Sequence, residues 1–219
     1  MPYSSTATVS VLNCPENNAL RARPYAPLGS SVWTSSGNLA RHGITAIAQA
    51  ASGTMSPHIV RGGEPTRASV GDSVTNSLAL AGQQGRARLA IPFIGGGIFF
   101  RRIQPPCTKA ELAEVIVQAA SDTCGSVVPV IVAYDAADQA LFGAAIAKVG
   151  ASNVELVQGS ITDHSLHKAD VIVNAANMEV LFGGGISGAI GRATGDQQNI
   201  DAEAAREVAA FWAANPPEG

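Results

Sequence analysis

The sequence predicts a layered α/β fold, and two observations support this prediction. Apolar runs of strand length alternate with segments of helical periodicity along the 219 residues of the chain, a pattern typical of helices packed on a sheet. Residues 127–134 (VVPVIVAY) are apolar almost throughout, which indicates a strand covered on both faces. Because 46% of the residues are hydrophobic, the chain can bury the core of one large domain.

The predicted strands are short apolar runs that end in turn-forming residues. In chain order they cover residues 7–12, 44–48, 88–93, 127–134, 153–158 and 170–174. Residues 13–30 and 52–66 are rich in Pro, Gly, Asn and Ser, and we expect them to form loops.

The predicted helices are marked by their ends as well as by their periodicity. Thr108 and Glu111 form a T-x-x-E capping box at the start of one helix. Asp135 is placed to cap the next helix, which we expect to end at Gly150. Apolar stripes at helical spacing predict two further helices, over residues 66–83 and 199–214.

Composition excludes several classes of protein. Only 14% of the residues are charged and the net charge is −3, so there is no basic surface typical of nucleic-acid or membrane binding. The three cysteines have no C-x-x-C spacing, which argues against a disulfide framework or a zinc site. No signal peptide or bilayer-spanning run is evident. We therefore expect a monomeric cytoplasmic protein without metal, cofactor or membrane partner, and the composition argues against a nucleic-acid partner without excluding one.

Two predicted strands each run into a glycine-rich loop. Gly183–Gly185 follows the strand at 170–174 and opens a helix of small residues, and Gly95–Gly97 follows the strand at 88–93. We call these the 183–185 loop and the 95–97 loop. Free backbone N–H groups at a helix N-terminus bind anions, usually phosphate. Two such loops facing each other would hold a diphosphate from both sides, whereas the structural alternative is tight turns or close helix packing.

The G-x-G-x-x-G spacing at residues 183–188 raises the alternative of a Rossmann dinucleotide-binding fold. That motif follows its strand directly and precedes a second strand ending in an acidic residue about 20 positions later. Here several residues separate the strand from the loop, and the downstream region has helical periodicity. The chain also lacks G-K-[ST], which excludes a Walker-type loop.

Residues 154–195 read VELVQGSITDHSLHKADVIVNAAN and then, after five residues, GGGISGAIGRATG. This stretch resembles a macrodomain, the ADP-ribose-binding α/β module. The family has a G-D-I-T-like turn, a strand ending in N-A-A-N and a G-G-G-V-x-G-A-I helix start in the same order. The resemblance implies a three-layer α/β/α sandwich with a mixed central sheet. It also implies ADP-ribose, or a substrate modified with ADP-ribose, as the ligand.

The remaining family pattern lies earlier in the chain, at residues 32–53, 65–100 and 128–142. The second half of the family pattern therefore precedes its first half, which predicts a circular permutation. Residues 28–219 would form a single permuted domain behind an extension, residues 1–27, of unassigned role. Residues 28–150 resemble the C-terminal half of the family and 151–214 its N-terminal half. The alternative is two half-domains of a broken tandem array, completed by a second molecule.

The resemblance also implies a set of ligand-binding residues. Asn177 would contact the distal ribose and Tyr134 would stack on adenine, although a core tyrosine is the alternative. Phe99 would serve either the ligand or the core, and Asn174 would tie the strand to its loop. The implied ligand-binding residues are Ser160, Ile161, Ala175, Asn177, Gly183, Gly184, Gly185, Ile186, Ser187, Gly95, Gly96, Gly97, Ile98, Phe99 and Tyr134.

Two positions depart from the family pattern. Ser160 stands where the family has an aspartate that accepts a hydrogen bond from adenine, which weakens the expected base selectivity. Ser187 stands where hydrolases of the MacroD type have an aspartate, and Gly191 stands where they have a histidine. Asn177 and Ser187 are the catalytic candidates, but a serine is a poor base at neutral pH. ADP-ribosyl hydrolysis, ligand binding alone, and binding of nucleotides or RNA ends therefore all stay open.

The histidines of the same segment have a simpler interpretation. His164 and His167 are three residues apart in a polar stretch, without a third ligand at suitable spacing. We expect them in a solvated turn rather than in a metal site.

Overall fold

The computed structural model describes residues 25–53 and 64–215. The strand predicted at residues 7–12 and most of the loop predicted at 52–66 lie outside these ranges. The described elements, in chain order, are β1 (Ser31–Ser35), β2 (Ala46–Ala51), α1 (Arg67–Gln83), β3 (Arg88–Ile91), α2 (Lys109–Thr123), β4 (Val128–Ala133), α3 (Ala136–Val149), β5 (Glu155–Gln158), α4 (His164–His167), β6 (Val171–Ala176), α5 (Gly185–Thr194) and α6 (Gln197–Ala214). Short 3-10 turns cover Gly37–His42 and Phe100–Arg102.

The strands form one mixed sheet in the order β1-β2-β6-β3-β4-β5. The edge strand β1 is antiparallel to β2, and all other neighbours are parallel. The carboxyl ends of β2, β6, β3, β4 and β5 therefore meet at one edge of the sheet. In open α/β sheets this is the edge at which ligands bind.

Strand β1 is an element that sequence analysis missed. Its residues, SVWTS, are mostly polar and only Thr34 is fully buried, so the segment has no apolar run to reveal it. Pairing with β2, in the register Trp33 to Ala48, makes it a strand. The Ser35 N–H and hydroxyl both donate to Glu203 Oε2, at 2.9 and 2.6 Å, so helix α6 holds the end of this edge strand.

Helices cover both faces of the sheet. One apolar core joins α1, α2 and α3 to the face that includes Ile131 and Val173. A second core joins α5 and the start of α6 to the face that includes Val132 and Ile172. Neighbouring residues of a strand thus enter opposite cores, as the two-residue period of a strand requires. The predicted three-layer α/β/α sandwich with a mixed sheet is confirmed.

The predicted helix ends are confirmed in detail. The Thr108 N–H donates to Glu111 Oε2 at 2.7 Å and the Glu111 N–H donates to Thr108 Oγ1 at 3.2 Å, which completes the capping box of α2. Asp135 accepts from the Asp138 N–H at 2.9 Å, and α3 ends at Gly150 with φ of 74°. Across the described ranges, every helix is too short or too polar to cross a membrane.

Candidate functional site

The loops that leave the carboxyl edge of the sheet contain most of the predicted ligand-binding residues. The others are Ala175, at the end of β6, and Gly185, Ile186 and Ser187, in the first turn of α5. Neighbouring strands lie about 4.8 Å apart, so the five parallel strand ends from β2 to β5 span roughly 19 Å. The residues at this edge differ in exposure. Those exposed are Gly97, Ile98, Tyr134, Ser160, Gly183, Gly184 and Gly185; those half-buried are Gly96, Ala175, Asn177 and Ile186; those buried are Gly95, Phe99, Ile161 and Ser187.

The two glycine loops leave neighbouring strands. Strand β3 pairs with β6 in parallel, with Ala90 opposite Ile172. The Phe99 ring packs on Gly53, where a Cβ atom would approach the ring to 2.8 Å. The Gly53 carbonyl in turn accepts from the Met178 N–H at 2.7 Å. The ends of β2, β3 and β6 are thus linked at one edge, and a clamp of both loops on one diphosphate stays a prediction.

The 183–185 loop has free space around it. A Cβ atom at Gly183, Gly184 or Gly185 would meet nothing within 4 Å beyond its chain neighbours. Helix α5 begins at Gly185, whose φ of 59° favours glycine, and no side chain caps it. Its first N–H groups therefore face a surface that the fold leaves unfilled. Close packing within the protein does not explain these three glycines.

The 95–97 loop is packed more tightly. Gly95 has φ of 74°, and a Cβ atom there would lie 3.3 Å from Val70. A Cβ atom at Gly96 would lie 2.6 Å from the Phe93 ring, while Gly97 is open. Phe99 is only 6% exposed and belongs to the packing against Gly53, so of its two predicted roles the structure favours the core.

Ser187 is held under the 183–185 loop by two donors. The Gly183 N–H and Asn174 Nδ2 both donate to Ser187 Oγ at 3.2 Å. Asn174 is fully buried and also donates to Gln49 Oε1 at 2.7 Å. Sequence analysis missed Gln49, although a single polar residue inside the apolar strand AIAQAA was a signal. The expected tie between strand and loop therefore runs from Gln49 through Asn174 and Ser187.

Asn177 shapes the start of the same loop. Its Oδ1 accepts from the Leu181 N–H and its backbone carbonyl accepts from the Val180 N–H, both at 3.0 Å. Val180 has φ of 51°, a conformation that costs energy in a β-branched residue. Strain of this kind is concentrated at functional sites. Because its side-chain oxygen Oδ1 already accepts a hydrogen bond, Asn177 has its side-chain Nδ2 left to donate to a ligand.

The ends of β4 and β5 form a different surface. Tyr134 is 76% exposed, so the alternative of a core tyrosine is wrong. The Gly159 N–H donates to the Ala133 carbonyl at 2.8 Å, which joins the β5 turn to the residue before Tyr134. Ser160 Oγ lies 2.8 Å from Thr162 Oγ1 and is exposed. Ile161, by contrast, is buried in the core and its side chain does not face this surface.

His167 corrects the expectation of a solvated turn. It is 1% exposed, and its Nδ1 accepts from the Ala169 N–H at 3.0 Å. Its Nε2 lies 3.0 Å from the Ile161 carbonyl and therefore donates to it, which fixes a neutral ring. Burial lowers the pKa of His167. His164 is half-buried with its ring against Gly43, and the described ranges contain no cluster of three His, Cys, Asp or Glu able to hold a metal.

Gly188 and Gly191 of helix α5 are required by packing. A Cβ atom at Gly188 would clash with the Gly183 carbonyl oxygen, and one at Gly191 would lie 2.9 Å from the Phe182 ring. Gly191, the position at which the MacroD-type pattern has a histidine, therefore has no room for a side chain without a shift of Phe182.

Two cavities lie away from the glycine loops. One of about 300 Å³, lined by residues such as Cys124, Val128 and Asn153, is at the opposite edge of the sheet. Another of about 260 Å³ is lined by His42, Asp163, His164 and neighbours. The predicted ligand edge is open rather than enclosed, because its residues Ile98 and Tyr134 project into solvent.

Comparison with known proteins gives a partial result. No family model matches the chain. A stretch of 42 residues is 60% identical to the "Macro domain-containing protein in non 5'region" of Streptomyces griseus. This stretch is 19% of the present chain and 22% of the length of that protein. The similarity supports the macrodomain interpretation of the chain, and the permuted order of the halves stays a prediction.

Proposed function

We propose that this protein is an ADP-ribose-binding module of the macrodomain type. The observation on which the proposal rests is the order of features along the carboxyl edge of the sheet. An exposed aromatic ring follows β4, and an open glycine loop at a helix N-terminus follows β6, with β3 between them. This order matches a ligand that has a planar base at one end and a diphosphate next to it.

The diphosphate would bind at the 183–185 loop. Helix α5 directs the partial positive charge of its N-terminus at this loop. The absence of side chains at Gly183, Gly184 and Gly185, with space beyond each of them, lets phosphate oxygens approach the N–H groups of Gly184 and Gly185. The Gly183 N–H is already donated to Ser187 Oγ. From the neighbouring strand, the open Gly97 would approach the same anion.

The base would bind at the ends of β4 and β5. Tyr134 offers an exposed ring, and stacking of a base on such a ring contributes about 1–3 kcal/mol. The adjacent Ser160 offers a hydroxyl, a weaker acceptor for an adenine amino group than a carboxylate. The distal ribose would then lie near Asn177, whose amide Nδ2 donates to its hydroxyl groups.

Binding, rather than hydrolysis, is the activity that the geometry supports best. Two N–H donors occupy the lone pairs of Ser187 Oγ, so this hydroxyl does not remove a proton from water. ADP-ribosyl hydrolysis would have to depend on Asn177 and on positioning of the substrate alone. We therefore propose a reader of ADP-ribose.

The single permuted domain is part of the proposal. The Trp212 Nε1–H donates to the Tyr25 carbonyl at 2.7 Å, and the Ala26 N–H donates to the Met178 carbonyl at 2.8 Å. The end of α6 thus lies beside the segment that leads into β1. A circular permutation that creates new chain ends between these two segments requires them to lie close together.

Calorimetry with ADP-ribose, ADP, AMP and NAD tests the proposal. We expect ADP-ribose to bind most tightly, because only this ligand presents the base, the diphosphate and a free distal ribose together. Equal weak binding of all four would overturn the proposal. Displacement of ADP-ribose by AMP or short adenine-rich RNA at similar concentrations would instead favour the nucleotide- and RNA-end-binding alternative that Ser160 raises.

A further inference from the structure

A buried chain of neutral polar side chains connects the edge strand β1 to the 183–185 loop. Gln49 Nε2 donates to Thr34 Oγ1 at 3.1 Å, and Asn174 Nδ2 donates to Gln49 Oε1 at 2.7 Å and to Ser187 Oγ at 3.2 Å. None of these four side chains is more than 6% exposed. They cross β1, β2 and β6 and end at the first turn of α5.

The direction of the hydrogen bonds in this chain follows from its buried atoms. In the observed arrangement Asn174 Oδ1 is buried without a partner. If the oxygen and nitrogen of both side-chain amides, Gln49 and Asn174, were exchanged, the NH2 group of Asn174 would occupy this position, and its two N–H groups would be buried without a partner. An under-satisfied carbonyl is tolerated more often than orphaned N–H groups. The observed arrangement is therefore the favoured one, and the chain donates toward Ser187.

This direction determines what Ser187 can do. Its Oγ accepts from Asn174 Nδ2 and from the Gly183 N–H, which uses both lone pairs. The remaining capacity of the hydroxyl is its hydrogen, for which the described residues provide no acceptor. Ser187 is thus a hydrogen-bond donor under the 183–185 loop, and the backbone of that loop is tied to it through Gly183.

We propose that Gln49 is a positioning residue for the anion site. It acts through Asn174 to orient Ser187, so that the hydroxyl holds Gly183 and donates its hydrogen to a phosphate oxygen of the ligand. This inference rests on the proposed function. It identifies a residue on a neighbouring strand that sets diphosphate affinity without touching the ligand.

The experiment compares ligands with and without phosphate. The chain tested is the full protein carrying Gln49→Leu, which keeps the volume and removes both hydrogen bonds. Binding of ADP-ribose and ADP is measured by calorimetry, and binding of adenosine by NMR titration. Removing a partner from a buried hydrogen bond has a cost that corresponds to roughly 5-fold to 100-fold in affinity. We expect such a loss for ADP-ribose and ADP, and unchanged adenosine affinity.

A matched variant and a double variant separate positioning from folding. Ser77→Ala removes a buried hydroxyl of helix α1 that bonds to the Ser73 carbonyl, away from the loop, and should leave all three affinities unchanged. Ser187→Ala is a small change that should show the same selective loss even if Gln49→Leu fails to fold. The double variant Gln49→Leu/Ser187→Ala should lose no more affinity than Ser187→Ala alone, because Gln49 acts through Ser187.

The outcomes are distinguishable. Equal losses for adenosine and ADP-ribose, additive losses in the double variant, or full ADP affinity in Ser187→Ala would overturn the inference and leave the proposed function intact. Failure of the unmodified protein to bind ADP-ribose would overturn both.

Discussion

The 183–185 loop and the 95–97 loop have similar sequences but differ in what their glycines do. At the 183–185 loop a side chain would meet open space at all three positions. At the 95–97 loop the first two glycines are enclosed by Val70 and the Phe93 ring. Packing requires none of the glycines in the 183–185 loop, where only Gly185 is required, by its φ of 59°. In the 95–97 loop, packing encloses two of the three glycines. The comparison teaches that a glycine run indicates a ligand site only where the protein itself leaves its surroundings empty.

The largest expected effect is on binding at the open loop. Gly184 has φ of −89° and ψ of −179°, an extended conformation that any residue adopts. Gly184→Val should therefore fold normally, but its side chain would occupy the approach to the helix N-terminus. We expect ADP-ribose affinity to fall by about 100-fold or more, the equivalent of two backbone hydrogen bonds to a charged group. Calorimetry and thermal unfolding measure the two effects, and retained affinity would contradict the assignment of the loop.

The next effect is at the base end, outside both loops. Tyr134→Ala removes an exposed ring and should cost about 1–3 kcal/mol of binding free energy for ADP-ribose and AMP alike. Its thermal stability should stay close to that of the unmodified protein, because the ring packs on little else. Tyr134→Phe is the control and should retain stacking. A large fall in melting temperature for Tyr134→Ala would show that the ring stabilises the fold.

A smaller effect, on stability rather than binding, is expected at the packed loop. Gly95 has a left-handed φ of 74°, which costs other residues about 1–2 kcal/mol. Gly95→Ala should lower the melting temperature by roughly 2–8 °C for a domain of this size. Gly97→Ala, where a side chain meets open space, is the matched control and should be neutral. Equal stability of the two variants would remove the distinction between packed and open glycines in this loop.

The smallest effect concerns pH. Burial lowers the pKa of His167 in the folded protein below its ordinary value of 6.5. Between pH 6.5 and the pKa of the folded state, the unfolded chain therefore binds more protons than the folded protein. The free energy of unfolding should decrease as the pH falls through this range. Melting temperatures recorded from pH 7.5 to 5 measure this slope, and His167→Gln should reduce it. An unchanged slope would show that other groups cause the acid sensitivity.

Local signals allowed most of the fold to be predicted. Thr108, Glu111 and Asp135 mark helix starts by hydrogen bonds to residues only three positions away, so a short window of sequence contains the whole interaction. Strand β1 escaped because its stability comes from pairing with β2 and from Glu203, which is 168 residues beyond Ser35 in the chain. The periodicity of a short segment cannot indicate a contact between residues so far apart in the chain.

The candidate site was predictable in its types of residue but not in their surroundings. The glycine runs, Asn177 and Tyr134 stand out in the sequence, whereas the burial of His167 and Phe99 depends on what the fold brings against them. Gln49 belongs to the site only because β2 lies beside β6, opposite Asn174 in register. Sequence proximity cannot indicate such a neighbour.

The bonds between Ser35 and Glu203 bear on how copies of this protein behave at high concentration. An edge strand with unpaired N–H groups is a template on which another chain can add a strand and begin to aggregate. Here a carboxylate from α6 occupies the end of β1, and the opposite edge strand, β5, has only four residues. Both features hinder the addition of a strand from a second molecule at the borders of the sheet.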